Sequence, residues 1–227
     1  MKIFDLENDS LRSLNHNLQS IKVGSVITDW QVENPGGSHA LAVGLNAEVN
    51  VSIKGSTGYY CGGMNQQAKI HIYGSVGPGV GENMMSGQII VEGDASQYAG
   101  ATGHGGLLLI KGNASSRCGI SMKGIEIIVM GNIGHMSAFM AQSGNLVVLG
   151  DASDGLGDSI YEANIFVRGQ VKGLGADCIE KDMRLEHINI LERLLLTANC
   201  DADSKNFRRY GSARSLYNFK VDNLNSY

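Results

Sequence analysis

The chain has 227 residues, 43% of them apolar and 18% charged, with a net charge of −4 at neutral pH, the make-up of a globular protein large enough to bury one sizeable core. Its lysines and arginines are scattered among acids, which excludes a nucleic-acid backbone or an anionic membrane as partner, and no apolar run approaches the roughly 18 residues of a membrane span. The start of the chain, Met1-Lys2-Ile3-Phe4-Asp5, lacks the long apolar segment of a secretory signal, so a cytoplasmic location is expected.

Residues 1–50 read as an N-terminal cap with lead-in strands. A helix is predicted from Ser10 to Gln19, where Leu11, Leu14 and Leu18 fall at helical spacing.

From residue 51 to residue 178 the 31 glycines of the chain, set against only 2 prolines, acquire a period. Apolar runs end at Gly55, Gly74, Gly93, Gly112, Gly131, Gly150 and Gly169, each 19 residues after the last. Four residues before these glycines stand Val51, Ile70, Ile89, Leu108, Ile127, Leu146 and Ile165. Two before them stand Ile53, Ile72, Val91, Ile110, Val129, Val148 and Val167. Aliphatic residues at alternate positions of a short run are the pattern of a strand with one buried face, and the β-branched majority favours strand over helix. A second set of small residues follows seven positions on: Gly62, Gly81, Gly100, Gly119, Ala138, Gly157 and Ala176, as a bend stacked on its neighbours requires. Ser75, Asp94, Asn113, Asn132, Asp151 and Gln170 come directly after the strand glycines, and such side chains are expected to bond their own backbone in turns.

Nineteen residues are too few for a strand plus a full helix and fit one coil of a solenoid. The prediction is an all-β fold, a single-stranded parallel β-helix of about seven coils, a rod on the order of 30 Å long. Right-handed crossovers are expected.

Residues 179–227 read as a C-terminal helix and an extended tail. Glu180 to Ala198 carries Met183, Leu185, Ile188, Leu191, Leu194 and Leu195, a stripe that could lie across the last coil, so both solenoid ends are expected to be covered by helical caps. Residues three before each strand glycine should point outward. They begin polar, with Ser52 and His71, and continue as Ile90, Leu109, Ile128, Val147 and Phe166. Five apolar rungs about 4.8 Å apart form a stripe that water seldom touches. The C-terminal helix, the tail with Tyr210, Leu216, Tyr217 and Phe219, and another subunit are the possible covers. Another subunit is expected over much of the stripe, which marks these five residues as a partner interface.

Catalytic chemistry is not visible. His71 faces outward with Glu92 near it in the next coil, His104 and His135 sit in glycine-rich loops of different coils, and Asp94 and Asp151 are three coils apart, too distant for a carboxylate pair. Cys61, Cys118, Cys178 and Cys200 lack metal-ligand spacing and read as reduced, inert thiols. No catalytic, cofactor-binding or metal-binding residue is assigned, and the twelve glycines Gly55, Gly74, Gly93, Gly112, Gly131, Gly150, Gly169, Gly62, Gly81, Gly100, Gly119 and Gly157 are structural.

The repeats, in copies such as Gln88-Ile-Ile-Val-Glu-Gly-Asp-Ala-Ser-Gln-Tyr-Ala-Gly100, resemble the C-terminal GXGXG domain of the glutamate synthase large subunit over residues 27–178. The chain looks like the stand-alone GXGXG subunit of N-methylglutamate synthase-type complexes, and its tail from Phe207 to Phe219 is similar to that subunit's. The resemblance implies a structural subunit, non-catalytic on its own, in a complex that makes N-methylglutamate from glutamate and methylamine. It also implies an amidotransferase-like partner and a partner carrying FMN and an iron–sulfur cluster, in a hetero-oligomer, with no cofactor in this chain. The β-helical C subunit of formylmethanofuran dehydrogenase and its formyltransferase relatives is the alternative within the superfamily. A free-standing ligand-binding β-helix is the alternative outside it.

Overall fold

The computed structural model describes residues 1–21 and 28–214. The part of the tail that holds Leu216, Tyr217 and Phe219 lies outside the described residues.

Strand β1 (Lys2–Asp5), helix α1 (Leu11–Gln19) and strand β2 (Asp29–Glu33) lead into the coils. The Ser10 hydroxyl accepts the Ser13 amide N–H at 3.2 Å and so caps α1, while Leu14 and Leu18 are buried. The helix is pinned to the first coil by Asn15, whose side chain donates to Ala40 O and accepts from Ala42 N–H. Seven coil strands follow: β3 (Asn50–Ile53), β4 (Lys69–Ile72), β5 (Gln88–Val91), β6 (Leu107–Ile110), β7 (Lys123–Val129), β8 (Ser143–Val148) and β9 (Asn164–Val167). All pair in parallel, and Val51, Ile70, Ile89, Leu108, Ile127, Leu146 and Ile165 stand in one register. A second ladder of single bridges runs through Thr57, Val76, Ala95, Ala114, Ile133, Ala152 and Val171. The fold is a parallel β-helix, and both aliphatic ladders are buried inside it.

The C-terminal end departs from the expectation. Residues 178–181 form a strand, β10 (Cys178–Lys181), so helix α2 (Leu185–Thr197) starts later than the apolar stripe suggested. Strand β11 (Arg208–Ser212) pairs antiparallel with β9 on one side and β10 on the other. The last coil is therefore closed by strands, which satisfy the open edge of β9, and α2 is free to lie elsewhere.

It lies along the outward stripe. Leu191, Leu194 and Leu195 of α2, with Phe207, form one apolar body with Leu109, Ile128, Val147 and Phe166. These four stripe residues are buried, and Ile90 at the end is partly buried. Arg193 pairs with Glu126 across the contact, Nη1 to Oε2 being 3.1 Å. The assignment of Ile90, Leu109, Ile128, Val147 and Phe166 as a partner interface is thus corrected: the chain covers the stripe itself. Thirteen helical residues at about 1.5 Å each span about 20 Å, enough for four rungs.

Candidate functional site

The two glycine sets serve different ends. At the bend, Gly62, Gly81, Gly100, Gly119 and Gly157 all have positive φ, as does Ala138 at +57°, so this position takes a left-handed backbone, and at Gly62, Gly100 and Gly157 a Cβ would also come within 2.7 Å of the Ile89, Ile127 and Cys178 side chains. In the last coil the positive φ moves from Ala176 to Asp177. The strand-ending glycines Gly74, Gly93, Gly112, Gly131, Gly150 and Gly169 instead lie against the backbone of the preceding coil, whereas Gly55 faces the Pro35 ring. A Cβ on Gly131 would stand 2.5 Å from Asn113 Oδ1 and 2.8 Å from Gly112 O.

The residues after those glycines form a ladder between coils, not turns closed on their own backbone as expected. Ser75 Oγ accepts the Asp94 N–H at 3.1 Å, Asp94 Oδ1 the Asn113 N–H at 2.7 Å, Asn113 Oδ1 the Asn132 N–H at 2.9 Å, and Asn132 Oδ1 the Asp151 N–H at 2.8 Å. Asp151 Oδ1 continues it to Gln170 at 2.7 Å. Asp94 and Asp151 are members of this ladder.

Beyond the reach of α2, the outward face of the first coils is polar. His71 Nε2 lies 2.5 Å from Glu92 Oε1, Lys111 Nζ lies 2.9 Å from Glu92 Oε2, His71 stacks on Tyr73, and Lys54 Nζ sits 3.6 Å from the centre of the Tyr73 ring. Hydrogen bonds from Lys111 and then His71 hold the Glu92 carboxyl below its ordinary pKa. The proximity of His71 and Glu92 that the 19-residue spacing implied is present. The cluster has an acid, an imidazole and an ammonium already engaged with one another, which makes it a surface ion network.

His104 and His135 are exposed in their separate loops. Among the described residues no three His, Cys, Asp or Glu side chains are grouped to hold a metal ion. Burial pushes the Cys61 and Cys118 thiols up to about 12 and, with Asp158 adding to it, Cys178 up to about 11, far from the thiolate that chemistry would use. No helix of the described residues is long and apolar enough to cross a membrane. One group escaped notice in the sequence: Arg209, buried within β11. It stands opposite Phe166, on the face of the outward stripe, so alternation along the strand did not mark it as buried.

A parallel β-helix built on in-register glycines, closed after its last coil by β11 and β10 and lacking a convergent set of reactive groups among its described residues, defines the class of protein. Over 228 aligned positions, covering all of both chains, the sequence is 62% identical to Protein GlxC of Rhizobium meliloti (strain 1021), and the chain belongs to the same family. No family model matches the chain. No solved structure matches it either.

Proposed function

We propose that this chain is the structural β-helix subunit of a glutamate synthase-related enzyme complex, with N-methylglutamate synthase as the particular assembly. The observation that carries this reading is the unbroken 19-residue register of seven glycine-ended coils, the feature in which the chain resembles the GXGXG domain. In such a complex the amidotransferase chemistry belongs to one partner, and the FMN and iron–sulfur chemistry to another. This chain contributes a rigid rod whose polar flanks, not its apolar stripe, meet them. The isolated chain is then colourless and without turnover, and activity appears only when the partners are added. A flavin or iron–sulfur absorption band in the purified chain alone would refute the reading.

A further inference from the structure

The two strands that close the last coil carry an arrangement that neither sheet nor core requires. Lys181 of β10 stands directly opposite Arg209 of β11, and like charges facing each other weaken an antiparallel pair. Arg209 is 8% exposed, and among the described residues it is the only lysine, arginine, aspartate or glutamate that is buried. Its Nε donates to Asp182 O at 3.0 Å and its Nη1 to Asn164 Oδ1 at 3.3 Å, both uncharged acceptors. Neighbouring cations are matched, Arg208 by Glu180 at 3.8 Å and Arg214 by Asp177. For Arg209 and Lys181 no carboxylate of the described residues lies within ion-pair distance. A buried guanidinium without an anion is costly. Burial, and then the charge of Arg184, lower its pKa, while Glu186 and Asp182 at longer range act the other way.

Both side chains line a cavity of about 240 Å³ together with Tyr161, Asn164, Gly211 and Arg214. Gly211 keeps it open: a Cβ there would stand 3.3 Å from Lys181 Cδ and 3.8 Å from Arg209 Nη1. Glu162 also borders the cavity, as an exposed residue.

We propose that this cavity binds a phosphate-type oxyanion between Lys181 and Arg209. A phosphate carries close to two negative charges at neutral pH, which balances two cations where a carboxylate would balance one, and its several oxygens suit a guanidinium fork plus an ammonium. The site is independent of any role in complex assembly.

The test is calorimetric titration of the intact chain with inorganic phosphate at constant ionic strength, chloride serving as the control anion. One saturable phosphate per chain is expected, with a rise in melting temperature that chloride does not give. Lys181→Met, at an exposed position, should fold normally and weaken phosphate about tenfold, the loss expected for one charge-assisted hydrogen bond. Arg209→Lys keeps the buried charge but removes the fork, and should weaken it as well. Absence of saturable phosphate binding in the parent chain would overturn the proposal. So would a folded Lys181→Met variant that binds phosphate as tightly as the parent.

Discussion

Asn113 Oδ1 accepts the backbone N–H of Asn132 at 2.9 Å and lies 2.5 Å from the place a Cβ on Gly131 would occupy. The strand-ending glycine and the side-chain ladder are therefore one device, because the glycine leaves room for the oxygen that bridges two coils.

Replacing Gly131 with alanine sets a methyl against that oxygen and against Gly112 O, so the coils must separate locally; a loss of roughly 2–4 kcal/mol is expected in urea unfolding. Gly119→Ala has φ +70° to bear and its nearest neighbours at 3.3 and 3.4 Å, so about 1–2 kcal/mol is expected. Equal losses for the two variants would show that the strand glycines are not close-approach positions.

Leucine-to-aspartate at Leu194 puts a charge into the dry contact between α2 and the stripe, at a cost of several kcal/mol. Helix α2 should detach while the coils persist, giving new binding of an apolar dye and fast hydrogen exchange confined to α2 and the outward strand face. The paired change Leu109→Asp with Val147→Asp should act in the same way. A Leu194→Asp chain with parent exchange rates would mean α2 does not cover the stripe.

How much of this was legible depends on what stacking enforces. Every coil puts the same position in the same surroundings, so the ladders through Val51 and Ile53 and the glycine period could be read directly. The bend could be read only in part. Positive φ also occurs at Tyr60, Met64, Tyr98, Thr102, Arg117 and Ser121, two residues to either side of the bend glycines, where a side chain can project outward and no residue type is imposed. The stripe was visible, but its cover was not. The choice between α2 and another subunit turned on the last coil being capped by β10 and β11, and short strands after a solenoid carry little periodic signal.

Iodoacetamide labelling of the folded chain should modify Cys200 first, since Cys61, Cys118 and Cys178 are buried and their thiols are raised to about 12, 12 and 11. All four should label in urea. Rapid labelling of Cys61 in the native chain, read by mass spectrometry, would contradict its burial.

The Glu92 network gives a pH dependence of known sign. Its carboxyl titrates below the ordinary 4.5 because Lys111 and His71 bond the charged form. On acidification the unfolded chain takes up that proton first, so the stabilisation is complete above the unfolded-state pKa and is lost as pH falls through the lower folded-state pKa. Glu92→Gln should be the less stable form at neutral pH, and the gap should close in the acid range below 4.5. A gap that widened on acidification would reverse the assignment.

Native mass spectrometry of the affinity-tagged chain purified from its own cells tests the subunit role most directly. The expected result is a hetero-oligomer in which this chain accompanies an amidotransferase-like protein and an FMN and iron–sulfur protein, with both cofactors leaving on the partners. A chain that is recovered alone, without such partners, and that itself turns over substrate would contradict it.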